Sequence, residues 1–137
     1  MDWTQLKTAV GLMSAVVTGA IAQVLGGWDM WLQALVLFVV LDYITGLMAA
    51  AIEKKLRSEV GFRGVMKKVF IFCLVAVAFQ ADMLLGTEII RVAVIGFYLG
   101  TEGLSILENA GRAGLPLPEA LRNALIQVKG SGKKVGA

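Results

Sequence analysis

Apolar residues gather into four long runs, at positions 9–26, 30–52, 69–85 and 89–107, with short polar breaks between them. A helix that crosses a bilayer needs about 20 predominantly apolar residues and no fewer than ~17, so each run predicts one transmembrane helix. The second, MWLQALVLFVVLDYITGLMAAAI, is long enough to cross with some tilt, about 34 Å at a rise of about 1.5 Å per residue. The first run is the weakest, because Ser14, Thr18 and Gln23 interrupt it near the lower length limit. With only Lys7 set against Asp2 ahead of it, it reads as a retained helix rather than a cleaved signal. Three spans remain if it does not insert.

The breaks differ in kind. Positions 26–29, Gly-Gly-Trp-Asp, make a short turn, with Trp28 and Trp31 where an aromatic belt meets the headgroups. Positions 53–67, EKKLRSEVGFRGVMK, predict a basic polar connector with Gly61 and Gly64 as breakers. Gly86 and Thr87 form another tight turn. Beyond 107, Pro116 and Pro118 stop the helix. Leu117, Leu121, Ala124, Leu125 and Val128 then line one face of a short amphipathic helix within 116–137, suited to the membrane surface or to a neighbouring helix. The expected fold is all-α, a polytopic membrane helical bundle in one domain, 1–137, whose last residues form a basic tail.

Composition supports this class. The chain is 58% hydrophobic and 17% charged, against about 25% charged in an average globular protein. It has no histidine, which removes most general acid–base, triad and zinc arrangements. The single cysteine, Cys73, permits no internal disulfide and reads as apolar filler. No phosphate loop or CxxC pair is present. An enzyme is not expected, and neither a cofactor, a metal nor a nucleic-acid partner is called for.

Charge changes the picture through its placement. Of 13 Lys and Arg, six lie in 54–68 and five after 111. By the positive-inside rule, Lys54, Lys55, Arg57, Arg63, Lys67 and Lys68 act as a cytoplasmic anchor, and both termini are expected in the cytoplasm. Arg91 alone falls outside, and the spacing predicts that it pairs with Glu88 or Asp82.

Inside the spans, Asp42 and Glu102 occupy nearly the same depth on two helices that run in the same direction, and Gln80 adds a third polar position. These three are candidates for a pore lining or for a packing contact, hydrogen-bonded to Thr45, Tyr98, Thr101 or backbone. Both readings stand at this point. Helix–helix contact is expected at Gly46 and Ala50, which share a face with Asp42, at the GxxxG pair Gly96 and Gly100, and at Gly19 in the first run.

The motif Asp42-Tyr43-Ile44-Thr45-Gly46 with Ala50, followed by Ser58, Gly61-Phe62, Gly64 and Lys67-Lys68, resembles the phage holins of the toxin-secretion and phage-lysis family. Glu102, the stretch from Leu104 through Ser105, Ile106, Leu107 and Glu108 to Asn109, then Gly114, Leu115 to Pro118 and Leu121, are similar to that family's second signature. The resemblance covers about 30–130; Gly103 and the Arg112-Ala113 spacer depart mildly from it, and the first run carries no matching motif. It implies a protein that accumulates in the bacterial cytoplasmic membrane among its lipids, forms homo-oligomers and opens lesions. Through them a phage cell-wall hydrolase (an endolysin) or an exported toxin crosses, giving host cell lysis or protein secretion. An antiholin or assembly factor of a phage or secretion system, and a small ion carrier using Asp42, are the competing readings.

Overall fold

The computed structural model describes the backbone of residues 1–136 and the side chains of residues 1–130, so the side chains of the basic tail, Lys133 and Lys134 among them, lie outside the described residues. Five helices follow in order: α1 (Trp3–Val24), α2 (Met30–Ile52), α3 (Ser58–Leu85), α4 (Ile89–Arg112) and α5 (Glu119–Gly136). The described residues contain no strand, and α1 to α4 are each long and apolar enough to cross a membrane.

Local chemistry sets the ends. Asp2 and Gln5 form a capping box on α1, and the Asp29 carboxylate accepts from the Leu32 N–H to open α2. The start of α4 is capped from outside itself. Its N-cap residue Glu88 contributes no side-chain bond, whereas Asp82, near the end of α3, accepts from the N–H groups of Ile90 and Arg91 at 3.0 and 2.8 Å. A buried carboxylate at a helix N-terminus satisfies orphan donors and lies favourably in the helix dipole. Helix α2 ends in a Schellman arrangement, with Lys55 N–H donating to the Ala50 carbonyl and Lys54 N–H to that of Ala51. Lys54 therefore takes the left-handed position, φ 58°, where α4 uses Gly114 at φ 94°.

Helix α4 is the hub. It packs against α2, α3 and α5, whereas α2 and α3 touch each other little. The core between them is Leu35 and Val39 from α2, Ile71 and Val75 from α3, and Ile95 and Leu99 from α4. Helix α1 stands apart, with none of its residues buried. Its Thr8 and Ser14 hydroxyls donate to the carbonyls of Thr4 and Val10 one turn back, which leaves an outward surface that lipid can solvate.

One expectation changes. The connector contracts to 53–57, because α3 begins at Ser58 and carries the segment through Lys67 as helix. Gly61 and Gly64 do not break the chain there. They make room for Tyr43 of α2: a Cβ on Gly61 would lie 3.3 Å from the Tyr43 hydroxyl, and one on Gly64 3.4 Å from its ring. Of the two seats open to the C-terminal amphipathic helix, it takes the neighbouring helix and packs along α4.

Candidate functional site

The buried face of α3 runs through Gly64, Lys68, Ile71, Val75, Ala78 and Asp82, spaced by threes and fours. Lys68 is thus one turn from the core and points into the bundle, where α2 and α4 present Asp42 and Glu102. Its ammonium donates to both carboxylates, to Glu102 Oε2 at 2.5 Å and to Asp42 Oδ2. The side chains of Asp42, Glu102 and Lys68 are 8%, 6% and 18% exposed, so the three charges are almost fully withdrawn from the surface.

Asn109, two turns beyond Glu102 on α4, completes the arrangement. Its amide Nδ2 donates to Asp42 Oδ1 at 3.0 Å, to the Asp42 carbonyl at 3.2 Å and to Thr45 Oγ1 at 2.9 Å. Gly46 lies beneath it, 3.6 Å from a would-be Cβ to the amide nitrogen. Helices α2, α3 and α4 contribute one charge each, and no buried side-chain nitrogen or oxygen among the described residues lacks a hydrogen-bond partner. Such a triad is stable because every member is paired; removing one leaves the others buried and uncompensated.

Ion pairs also tie both ends of α4. At one end, Arg91 forks onto Asp29, with Nη1 to Oδ2 at 2.6 Å and Nη2 to Oδ1 at 3.2 Å. It also donates from Nε to the Leu25 carbonyl at 2.6 Å and from Nη2 to that of Gly27 at 3.1 Å. The expected partners were Glu88 or Asp82. The guanidinium instead crosses to the α1–α2 turn, while Asp82 is occupied by Thr87 and the start of α4. The Arg91 hydrogen bond holds the Asp29 carboxyl below its ordinary value of 3.8. At the other end, Arg112 Nε and Nη2 each meet a Glu53 oxygen at 3.0 Å, which lowers the Glu53 pKa from 4.5.

Asp42 and Glu102 therefore do come together, joined by a cation that the sequence reading had assigned to the cytoplasmic anchor. Gln80 does not join them; it is exposed on α3. Ala50 and Gly96 are buried, Gly100 lies under α5, and Gly19 has no neighbour within 4 Å. Lys54, Lys55, Arg57, Arg63 and Lys67 remain exposed around the connector. Sequence reasoning placed Lys68 in the anchor and Asn109 only in the family signature, and brought neither to Asp42 and Glu102. Lys68 and Asn109 both lie on the apolar stripes of their helices, and extending α3 back by three turns would have exposed the first.

A family model described as the bacteriophage holin family matches residues 9–130. The chain belongs to that family. Among its relatives, an uncharacterised protein of Halalkalibacterium halodurans is 42% identical over 127 residues, 88% of this chain and 94% of its own length. An uncharacterised 14.9 kDa protein from the nagH 3′ region of Clostridium perfringens is 42% identical, covering 77% of this chain and 81% of itself. A protein of Bacillus phage phi105 named a probable holin is 31% identical over 69% of this chain and 71% of its own length. No solved structure matches. The chain is thus a holin-family membrane protein, and the match extends over α1 as well as over the motifs of α2 to α5.

Proposed function

We propose that the protein oligomerises in the bacterial cytoplasmic membrane and opens a lesion through which an endolysin or another large protein crosses. The observation that carries this reading is the Asp42–Lys68–Glu102 triad, three charged groups at mid-depth in a bundle otherwise built from apolar helices. Intramembrane ionisable groups that face a bundle interior mark pathways more often than they stabilise a fold. In the single chain the triad is closed on itself. Separation of α3 from α2 and α4 during assembly would turn Asp42, Glu102 and Lys68 outward as a polar wall that water can wet. Family membership and the phage phi105 relative support the same reading. With both termini and the basic connector in the cytoplasm, most of the 13 basic residues fall on the inner side, Lys68 is drawn into the triad, and Arg91 is paired to Asp29 at the outer turn.

The test is induction together with a cytoplasmic endolysin. Abrupt lysis and release of a cytoplasmic reporter are expected, and an intact culture overturns the reading. The complete internal pairing of the triad also favours a second reading, a non-conducting antiholin that joins other helices without opening. Co-expression with a lytic holin separates the two, since an antiholin delays lysis and a pore former advances it.

A further inference from the structure

Helix α5 occupies a seat that suits its apolar stripe but not Lys129. It runs antiparallel to α4: Leu117 packs beside Gly111, Leu125 lies buried against Gly103, and Lys129 crosses Gly100. The two backbones are close. A Cβ on Gly100 would stand 2.4 Å from the Lys129 Cβ and 2.9 Å from the Leu125 carbonyl oxygen; one on Gly103 would stand 2.6 Å from Leu125 Cδ2. Gly100 is the twelfth residue of the 24 in α4, so α5 has reached the middle of the hub helix, and Val128 packs against the central core. Lys129 is carried to that depth with its ammonium 5.1 Å from the Phe97 ring centroid. It is absent from the salt bridges among the described residues.

We propose that α5 is an intramolecular cover on the Gly100–Gly103 face of α4, and that α1 of a second copy of this chain takes its place during assembly. The proposal rests on the pore-forming reading above. A lysine at the centre of a membrane bundle without a carboxylate is costly. The alternative seat costs less: at the membrane surface Leu121, Ala124, Leu125 and Val128 dip into the acyl boundary while Arg122 and Lys129 meet anionic headgroups. The same apolar stripe serves both seats, which makes α5 a two-state element.

The replacement must be an apolar helix that runs in the direction of α5. Spanning helices reverse direction one after another, so α1, like α5, is antiparallel to α4. With 22 residues, none of them buried, α1 is the spanning helix without a substantial packing partner among the described residues. An exchange of α1 onto a neighbour's α4 is a heterologous contact, and contacts of that kind propagate into rings or open arrays, as a growing lesion requires.

The full-length protein, with Cys73→Ser, carries Gly11→Cys on α1 and, at matching depth on an antiparallel α4, Leu104→Cys, one turn beyond Gly100. Disulfide-linked dimers are expected to appear in membranes before lysis. Lys129→Leu, which suits the covered seat, is expected to lower the dimer yield and to delay lysis. Leu125→Asp, which unseats α5, is expected to raise the yield and to advance lysis. A Lys129→Cys reporter in the Cys73→Ser chain is expected to gain reactivity to a polar maleimide in step with the dimers. Shifts of the same sign in the two variants, or an unchanged yield in both, overturn the cover. Failure of the pore-forming reading looks different: dimers respond to the α5 variants while the culture does not lyse.

Discussion

Lys68 on α3 and Glu102 on α4 meet at 2.5 Å in the middle of an apolar bundle, with Asp42 of α2 on the other side of the same ammonium. A buried cation shared between two acids gives each a partner, and loses its balance when removed. Lys68→Leu is expected to destabilise the protein in detergent by about 3–5 kcal/mol, the cost of leaving buried carboxylates unpaired. The combined change Lys68→Leu, Asp42→Asn, Glu102→Gln is expected to recover most of that loss, because no charge is then left unpaired. Thermal unfolding of the single and triple variants checks this, and equal losses in both would remove the triad as a unit.

The pairing of Asp29 with Arg91 makes stability depend on acid. The folded carboxyl titrates below its ordinary value of 3.8, chiefly because Arg91 donates hydrogen bonds to it. Between its folded and unfolded pKa values the unfolded chain binds more protons, so this contribution is complete above the unfolded value and fades as pH falls through the folded one. Glu53, lowered by Arg112, acts with the same sign. Unfolding midpoints followed from about pH 6 to about pH 3 should fall for the native chain. Asp29→Asn should flatten part of that decline while lowering stability at neutral pH.

Lys54 holds a left-handed backbone position that Gly114 holds at the equivalent end of α4. A side chain there costs roughly 1–2 kcal/mol relative to glycine, offset in part by the greater freedom of glycine in the unfolded chain. Lys54→Gly is accordingly expected to stabilise α2 by about 1 kcal/mol, read as a raised unfolding midpoint. A neutral or lowered midpoint would show that the Lys54 side chain contributes more than its backbone strain removes.

How much of this was legible in the sequence follows from what each signal depends on. The four spans were legible because length and hydropathy are local. The nearness of Asp42 and Glu102 was legible because helical rise and alternating direction fix depth. Lys68 was not, because a lysine beside a basic connector carries the same local signature whether the helix begins before it or after it; only the three-and-four spacing through Ile71 and Val75 distinguishes the two. Arg91 was assigned to sequence neighbours for a similar reason. Its true partner, Asp29, is 62 positions away, and the reach depends on Gly26 leaving a channel for the side chain. The seat of α5 was open in the sequence, since one apolar face suits a membrane surface and a helix equally.

Gly26 and Gly27 isolate that channel. Both have positive φ, 94° and 101°, so alanine at either incurs the left-handed cost of roughly 1–2 kcal/mol. Only Gly26 is also enclosed: a Cβ there would lie 2.4 Å from Arg91 Nε, 2.7 Å from Arg91 Cδ and 2.9 Å from the Phe79 ring, whereas nothing stands within 4 Å of one on Gly27. Gly26→Ala must therefore displace the guanidinium from Asp29 and from the Leu25 carbonyl, and Gly27→Ala need not. The first is expected to be the more destabilising by about 2–5 kcal/mol, the range for separating a buried hydrogen-bonded charge from its partner. In an Arg91→Met background the gap should narrow sharply, since the contact is already gone. Unfolding midpoints of the four chains in detergent form the cycle. A gap that persists without Arg91 would place the cost in the Phe79 contact, and not in the ion pair that ties α4 to the α1–α2 turn.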